Sequence, residues 1–376
     1  MPSNLKNSNT LNHLQLPRNV LLNPGPCTTT HSVKMAQIVP DICPREKEFG
    51  EVMHFVMQKL TDLAEGENLV SVLFGGSGTA GVEAVLSSIC HNQKILVIHN
   101  GAYSKRMLSI LKTYSANVFN FESSYIQPID FNNLENILKQ NHFNYICCVH
   151  NETGTGLLND IQKISDLAHQ YHAELVVDAM SSFAALPINM QNIHFLIASS
   201  NKNIQGMPGI SFIICQKPSL EKLKNIPAKS FYLDLYAQYT YFNQTKQLRF
   251  TPPVQTIYAL KQAIIELEKE TIIQRYARYA KSWQTLINGL KDFNLKCLLP
   301  LECQSKIITA IYEPQNPLYS FDEMHDFLYQ KGFTIYPGKI NDYNTFRIAN
   351  IGDITYKDIQ NFLIVLKDYL IKIHYF

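Results

Sequence analysis

Short apolar runs alternate with stretches of helical periodicity through the first half of the chain. Four of these runs have the length and composition of buried strands, at Lys94–His99, Tyr145–His150, Leu175–Asp178 and Phe195–Ser199. Between the second and third runs, Ile161–Tyr171 has apolar residues at the three- and four-residue spacing of one helix face. An order of strand, helix and strand predicts a mostly parallel sheet covered by helices, which is an α/β fold.

The pattern changes near Pro252–Pro253, where a long helical stretch is predicted to begin and to run to about Leu290. The rest of the chain predicts an α+β unit, with elements at Lys306–Tyr312, Phe321–Gln330, Thr334, Phe346–Ala349 and a C-terminal helix. The first residues are polar and rich in asparagine. We therefore expect a flexible N-terminal tail over residues 1–20, a large α/β domain over 21–265 and a small C-terminal α+β domain over 266–376.

Composition and charge indicate a globular protein with a sizeable core. Of the 376 residues, 46% are hydrophobic and 17% are charged, and 33 basic against 31 acidic residues give a formal net charge of +2. This balance argues against a protein that binds nucleic acid or anionic membranes. No apolar run approaches about 18 residues and no secretory signal is visible, so we expect a cytoplasmic protein without a membrane span. The eight cysteines are irregularly spaced, without histidines at zinc-ligand spacing, so we expect neither a disulfide framework nor a metal site.

A glycine-rich segment, Leu73–Thr79, precedes a helical pattern and is the first candidate for chemistry. Glycines allow a ligand to approach the backbone closely, and the amide groups at a helix N-terminus favour an anion. The hydroxyls of Ser77 and Thr79, on either side of Gly78, can add hydrogen bonds to a phosphate. The segment matches neither a Walker loop nor the GxGxxG pattern. Taken alone, it fits a tight turn with helix caps equally well.

Three further candidates follow predicted strands. Tyr103 lies shortly after the Lys94–His99 run, Asp178 ends its run, and Lys202 follows Phe195–Ser199. The carboxyl ends of parallel strands share one edge of a sheet, where ligands bind. At that edge an aromatic ring can stack on a planar cofactor, a desolvated carboxylate needs a cationic partner, and a lysine with a lowered pKa can form a Schiff base. Each of these residues taken singly also fits a structural role.

Arg347 lies in the apolar segment Phe346–Ala349 of the C-terminal unit. Its planar guanidinium can bind a carboxylate or a phosphonate, although one arginine in a strand also fits a structural role. The order of the candidates along the chain is more informative than any one of them, with Lys202 placed 24 residues after Asp178. A pyridoxal phosphate enzyme needs a phosphate anchor, a ring stacker, a carboxylate for the pyridine nitrogen and a lysine. We therefore predict pyridoxal 5'-phosphate as cofactor and Lys202 with Asp178 as the catalytic pair.

With these motifs the chain resembles the class V aminotransferases of pyridoxal phosphate fold type I, and among them the 2-aminoethylphosphonate–pyruvate transaminases. The similarity extends from about Leu21 to Gly352. Its motifs are LLNPGPCTTTHSVK at 21–34, GSGTAGVEA at 76–84, NGAYSKR at 100–106, NETGTGLLN at 151–159, VVDAMSSF at 176–183, SSNKNIQGMPG at 199–209, RFTPP at 249–253 and FRIANIG at 346–352. The chain departs from the usual motifs at Gly154, where threonine is common, and at Pro252, where serine is common.

The resemblance implies a role for each matching residue. Lys202 would form the Schiff base with the cofactor, Asp178 would pair with its pyridine nitrogen, and Tyr103 would stack on its ring. Thr251 would reach the cofactor of the neighbouring subunit, which implies a homodimer with shared active sites. Arg347 would bind the anionic end of the substrate. The remaining cofactor contacts would come from Ser77, Gly78, Thr79, Thr153 and Asn201.

The implied activity is transfer of the amino group of 2-aminoethylphosphonate to pyruvate, giving phosphonoacetaldehyde and L-alanine in two half-reactions. A class V transaminase of the alanine–glyoxylate or serine–glyoxylate type also fits the shared motifs. A pyridoxal phosphate lyase such as a cysteine desulfurase is disfavoured, because Asn201 and not histidine precedes Lys202. A non-catalytic protein that retains the cofactor is a further alternative, which the presence of Lys202, Asp178 and Arg347 disfavours.

Overall fold

The computed structural model of the protein describes residues 17–338, 340 and 343–376. Most of the tail predicted for residues 1–20 therefore lies outside the described residues. The first described strand, Val20–Leu21, pairs in parallel with Phe333–Thr334 of the C-terminal unit. This pairing ties the start of the described chain to its far end.

The centre of the fold is a seven-stranded sheet. Six strands run parallel, and Ile210–Gln216 runs antiparallel to both of its neighbours. The strand order is Leu69–Gly75, Ile210–Gln216, Phe195–Ser199, Glu174–Asp178, Tyr145–Val149, Lys94–His99 and Asn117–Glu122. The predicted α/β fold with a mostly parallel sheet is confirmed. The strands predicted at Lys94–His99 and Phe195–Ser199 are confirmed at both ends, and the other two differ by one residue.

Helices cover both faces of this sheet. Successive residues of a strand point to opposite faces, and in the central strands both sets of side chains are apolar and need to be buried. Leu96 and Ile98 belong to one buried cluster, and Ile95 and Val97 belong to another. The helices of the described chain are His31–Met35, Lys47–Asp62, Gly78–Ile89, Ala102–Thr113, Phe131–Gln140, Ile161–Gln170, Lys217–Lys222, Leu235–Thr245, Val254–Glu270, Ile272–Asp292, Phe321–Gln330 and Tyr356–Lys372. Both faces are buried, which explains why the central strands are continuous apolar runs without polar alternation.

The C-terminal unit is built on a smaller antiparallel sheet. Its strand order is Ile308–Tyr312, Thr345–Ala349 and Tyr336–Pro337. The predicted helix Phe321–Gln330 is confirmed, and the strand predicted from Lys306 begins at Ile308. A buried cluster joins this sheet to the helices on either side of it, with Leu286, Phe346 and Phe362 fully enclosed. The small sheet therefore has an apolar core of its own.

The long helical stretch predicted from Pro252–Pro253 to about Leu290 is wrong in one respect, because it consists of two helices. Val254–Glu270 ends and Ile272–Asp292 begins at Thr271, whose φ is +66°. A positive φ cannot continue a right-handed helix, and the Thr271 hydroxyl accepts a hydrogen bond from the Gln274 amide at 3.3 Å. Apolar periodicity resumes directly after the break, so the sequence pattern alone does not reveal it.

No helix among the described residues is both long enough and apolar enough to cross a membrane. The longest, Ile272–Asp292, carries charged side chains along its length.

Candidate active site

A pocket of about 460 Å³ opens at the carboxyl ends of the parallel strands. Short loops that follow different strands meet there, as expected for an α/β sheet. The pocket brings together seven of the residues singled out in the sequence, namely Ser77, Gly78, Thr79, Tyr103, Asp178, Asn201 and Lys202. It is also lined by residues that the sequence analysis did not single out, which are Gly76, Val82, Arg106, Met180, Ser199, Pro208 and Gly209.

The glycine-rich segment forms one wall of the pocket. Ser77 is the N-cap of the helix Gly78–Ile89, yet its side chain makes no capping hydrogen bond. The hydroxyl and the first amides of the helix are therefore available to an anion, which the helix dipole also favours. Gly78 packs so closely against Met180 that a Cβ there would lie 2.4 Å from the sulfur. A larger residue at this position would have to displace the Met180 side chain.

Lys202 lines the same pocket, in the loop after the strand Phe195–Ser199. Its Nζ donates a hydrogen bond to the carbonyl oxygen of Pro24. Burial lowers the pKa of Lys202 to about 8, while the negative charge of Asp178 acts in the opposite direction. A lysine with this pKa is neutral far more often at physiological pH than an exposed lysine, so its lone pair can attack a carbonyl carbon.

Asp178 ends the strand Glu174–Asp178 and is only 5% exposed. Its Oδ1 accepts a hydrogen bond from the Met180 amide at 2.9 Å. Burial raises the pKa of Asp178 to about 6, against the opposing effects of that amide and of Lys202. Within the described part of the chain, no lysine, arginine or histidine nitrogen lies within 4.0 Å of this carboxylate. A buried carboxylate without a neighbouring cation is stabilised when a ligand brings a positively charged group next to it.

Tyr103 and Arg106 lie one turn apart on the helix Ala102–Thr113 and both line the pocket. The Arg106 guanidinium carbon lies 5.0 Å from the centroid of the Tyr103 ring, within the range of a cation–π contact. Arg106 Nη1 also donates to the Thr79 hydroxyl at 3.1 Å. Arg106 belongs to the NGAYSKR motif at 100–106. Its position one helical turn after Tyr103 is the sequence feature that could have identified it as a pocket residue.

Arg347 is not among the residues that line the pocket, and its side chain is 1% exposed. Nε donates to the carbonyl of Pro337 at 2.9 Å and Nη1 donates to the carbonyl of Thr153 at 3.1 Å. Burial lowers the pKa of Arg347, against the effects of Tyr103 and Glu152 beside it. Its positive charge also contributes to the lowered pKa of Lys202.

Two predicted cofactor ligands lie outside the pocket lining. Thr153 is buried, and its hydroxyl donates to the Ser181 hydroxyl at 3.1 Å. Thr251 is exposed and borders a separate shallow depression beside Gly75, Tyr232 and Phe250. The described chain alone therefore does not bring Thr251 to Lys202.

No three histidine, cysteine, aspartate or glutamate side chains come together as a metal site in the described residues. All eight cysteines are free.

The sequence profile of the class V aminotransferases matches residues 28–338 of the chain. The chain is 41% identical over 359 residues to a bifunctional phosphonoacetaldehyde hydrolase/aminoethylphosphonate transaminase of Clostridioides difficile, covering 93% of this chain and 56% of that protein. It therefore spans little more than half of that relative. It is 40% identical over 349 residues to a 2-aminoethylphosphonate–pyruvate transaminase of Bacillus cereus, covering 91% of this chain and 95% of the relative.

Solved structures with lower sequence identity have the same fold. The ureidoglycine–glyoxylate aminotransferase of Bacillus subtilis superposes with a TM-score of 0.88 at 22% identity, covering 96% of this chain and 95% of that one. The alanine–glyoxylate aminotransferase of a Nostoc species gives a TM-score of 0.88 at 21% identity, covering 95% of this chain and 97% of that one. At these identities the similarity concerns the fold alone.

Proposed function

The chain belongs to the class V aminotransferase family, and we propose that it transfers the amino group of 2-aminoethylphosphonate to pyruvate. The products are phosphonoacetaldehyde and L-alanine. The observation that carries the reaction type is that the half-buried Lys202 and the buried Asp178 line one pocket together with the N-terminus of the helix Gly78–Ile89. The substrate pair is supported by the relative named for this reaction, which is 40% identical over 95% of its length.

The cofactor is pyridoxal 5'-phosphate, and the pocket has the groups that this molecule requires. A buried carboxylate without a cation nearby, Asp178, fits a protonated pyridine nitrogen. Ser199 also lines the pocket, and its buried hydroxyl oxygen has no hydrogen-bond partner among the described residues. We assign the phosphate to Ser77, Gly78, Thr79 and Asn201. When bound, the cofactor withdraws electrons from the substrate carbon that carries the amino group.

We assign the proton transfers to Lys202. With a pKa lowered to about 8, its Nζ can take a proton from the reacting substrate carbon and return it to a different atom. Asp178 keeps the pyridine nitrogen protonated, because its buried negative charge is stabilised by that positive charge. Tyr103 would stack on the ring, and we assign Thr153 a supporting role from its buried position outside the pocket lining. The carbonyl of Pro24 orients the Lys202 amine.

We assign the anionic end of both substrates to Arg347. The guanidinium is held by two backbone carbonyls, so its orientation is set before a substrate arrives. Phosphonate and pyruvate carboxylate both present oxygens that suit a guanidinium. One anchor can therefore serve the two half-reactions in turn.

We also propose a homodimer in which Thr251 serves the neighbouring subunit's site, and a cytoplasmic location. Thr251 adjoins an aromatic surface in which Phe231 is 79% exposed and Tyr232 stacks on Phe250 with ring centroids 4.8 Å apart. Exposed aromatic groups of this kind are enriched at protein interfaces.

The proposed cytoplasmic location is supported by the eight free cysteines, because a reducing compartment keeps thiols from forming disulfides. We also keep as a proposal the division into a large domain that ends at residue 265 and a small domain that begins at residue 266. This boundary falls inside the helix Val254–Glu270, which would then belong partly to each domain.

Half-reactions of the purified, cofactor-saturated protein test the proposed activity. We expect 2-aminoethylphosphonate to change the visible spectrum of the cofactor, and pyruvate to reverse that change with formation of L-alanine. β-Alanine, which carries a carboxylate in place of the phosphonate, is the matched amine, and Lys202→Ala is the inactive control. A spectrum that responds to serine or alanine with glyoxylate, and not to 2-aminoethylphosphonate, would replace our substrate pair with the glyoxylate type. No response to any amine donor would indicate a non-catalytic protein.

Subunit complementation tests the shared site. We expect Lys202→Ala and Thr251→Glu each to be inactive alone. A hybrid dimer of the two has one site with both native residues. Half of the dimers in an equal mixture are hybrids, so co-expression should restore about a quarter of the wild-type activity. No recovery would place Thr251 within its own subunit's site, and full activity of Thr251→Glu alone would place it outside any site.

A further inference from the structure

Glu152 is a buried carboxylate to which the proposed reaction assigns no role. It belongs to the two-residue strand Asn151–Glu152, in the loop after the central strand Tyr145–Val149, and it is 0% exposed. A charged group in such a position costs folding free energy unless polar partners compensate. The partners of Glu152 therefore indicate why a glutamate is present.

Among the described residues, the hydrogen bonds that the Glu152 carboxylate accepts come from the first turn of the helix Ala102–Thr113. Oε1 accepts from the Tyr103 amide at 3.0 Å. Oε2 accepts from the Ser104 amide at 3.4 Å and from the Ser104 hydroxyl at 3.3 Å. The first amides of a helix have no partner within the helix, and the helix dipole favours a negative charge there. Glu152 therefore caps this helix from a distant strand.

The cap needs a glycine where the helix begins. Gly101 is the residue at the N-cap, and a Cβ on it would lie 2.1 Å from Cγ of Glu152. Any side chain at residue 101 would displace the carboxylate from the helix. The close approach of Gly101 and Glu152 thus keeps the first turn of the helix next to the strand Asn151–Glu152.

The first turn held by Glu152 carries Tyr103, whose ring lines the pocket. The next residue after Glu152 also contacts the site, because the carbonyl of Thr153 accepts a hydrogen bond from Arg347 Nη1 at 3.1 Å. The charge of Glu152 favours the cationic form of Arg347. Residues 152 and 153 therefore connect the pocket aromatic with the buried guanidinium.

Burial raises the pKa of Glu152 to about 7, while the amides of Tyr103 and Ser104 act in the opposite direction. The nearby charge of Asp178 also raises it. The helix amides are thus the main groups that favour the ionised form of this carboxyl group against its burial.

We propose that Glu152 is a positioning residue of the active site, which holds the Tyr103 ring against the cofactor and the Arg347 guanidinium towards the substrate. This inference rests on the proposed roles of Tyr103 and Arg347. Glu152 itself touches backbone and hydroxyl groups of the helix, so it acts through those two residues.

Glu152→Gln tests the proposal with little change in shape. An amide cannot accept hydrogen bonds at both of its polar atoms, so either the Tyr103 or the Ser104 amide loses its partner. Glu83→Gln is the matched control, because Glu83 accepts a hydrogen bond from Tyr114 at the other end of the same helix, at 2.5 Å. The readouts are the dissociation constant of pyridoxal phosphate, the visible circular dichroism per bound cofactor, both half-reactions, and the melting temperature of the cofactor-free protein.

For Glu152→Gln we expect cofactor affinity to fall at least about fivefold and the visible circular dichroism to fall at least about threefold, as expected if an oriented ring becomes mobile. Pyruvate use should fall as well, through Arg347. Glu83→Gln should stay within about twofold of wild type in each readout.

Cofactor affinity and circular dichroism of Glu152→Gln within twofold of wild type, with a lower melting temperature of the cofactor-free protein, would overturn the proposal in favour of a purely structural cap. If Glu152→Gln does not fold, Glu152→Asp is measured in the same way, since it keeps the charge but withdraws the carboxylate from the helix. Failure of both variants to fold would also overturn it. A wild-type protein that binds no pyridoxal phosphate would refute the proposed function, and this inference with it.

Discussion

Gly25 lies against the side chain of Lys202, with no room for even a methyl group between them. A Cβ on Gly25 would lie 2.4 Å from Cδ and 2.7 Å from Nζ of Lys202. The φ of Gly25 is +113°, a conformation that residues with a side chain rarely adopt. The turn that contains Gly25 also presents the Pro24 carbonyl to the lysine amine. An N-terminal turn thus forms one side of the space in which Lys202 is held.

Gly25→Ala should therefore impair cofactor attachment more than folding. The alanine Cβ must displace the Lys202 side chain, whereas the backbone strain alone costs about 1–2 kcal/mol. Gly332→Ala is the matched control, because Gly332 has a φ of +85° and an added Cβ meets only the Arg18 carbonyl, at 4.0 Å. Borohydride trapping followed by peptide mapping measures the attachment. Equal trapping in the two variants would contradict the role of Gly25.

The rate at which cofactor-free protein captures pyridoxal phosphate should rise with pH through a midpoint near 8. Burial lowers the pKa of Lys202 to about 8, and only the neutral amine attacks the cofactor aldehyde. Stopped-flow absorbance between pH 6 and 10.5 measures the midpoint. Asp178 raises this pKa, so Asp178→Asn should move the midpoint to lower pH. A midpoint near 10.5, the ordinary value for lysine, would mean that Lys202 is solvated.

Asp178→Asn should keep cofactor in the pocket but slow the half-reaction with 2-aminoethylphosphonate severely. Asparagine cannot stabilise a protonated pyridine nitrogen by charge, so the ring withdraws electrons less strongly. Cofactor content and single-turnover rates are measured on the same sample. A rate within about threefold of wild type, which is only ~0.7 kcal/mol in the barrier, would show that Asp178 has no such role.

The same substitution should change how the stability of the cofactor-free protein depends on pH. The pKa of Asp178 is raised from 3.8 to about 6 in the folded state, so the folded protein binds this proton more tightly than the unfolded chain. The stabilisation is complete below about pH 4 and is lost as pH rises through 6. It amounts to about 3 kcal/mol of unfolding free energy, because one pKa unit corresponds to about 1.4 kcal/mol.

Asp178→Asn lacks this titration. Relative to wild type, its unfolding free energy should increase between pH 4 and 7. Urea unfolding of both proteins without cofactor at the two pH values measures the difference. A constant difference between the proteins would indicate that Asp178 has an ordinary pKa.

Arg347→Lys should lower kcat/KM for both 2-aminoethylphosphonate and pyruvate by ~1.5–3 kcal/mol in free-energy terms. Lysine keeps the charge but loses the planar fork, and it cannot replace the two bonds to the Pro337 and Thr153 carbonyls. The absorbance of bound cofactor should stay nearly unchanged. Stopped-flow half-reactions with each substrate separate this result from simple loss of stability. Wild-type efficiency in both half-reactions would show that Arg347 does not bind the anionic end of either substrate.

Local sequence patterns were sufficient for most of the central sheet and for the loops that form the pocket. A buried strand such as Phe195–Ser199 is recognisable because both faces are covered, which makes the whole run apolar. The residues just beyond such strands must then meet at one edge of a parallel sheet. For that reason Ser77, Tyr103, Asp178 and Lys202 could be placed together before any contact was known. The antiparallel direction of Ile210–Gln216 could not, because strand direction leaves no mark on composition.

The chain order and apolar periodicity thus determined the α/β class and the strands that end at the site, and the motifs with their family resemblance supplied the candidate cofactor residues. Only the tertiary structure decided that the Pro24–Gly25 turn contacts Lys202, 178 residues away from Pro24, and that Glu152 caps the turn of Tyr103, 49 residues away. Periodicity reports the environment of residues within one element. A hydrogen bond between distant segments instead depends on how separately folded elements pack, and burial by that packing sets the pKa values of Lys202, Asp178 and Glu152.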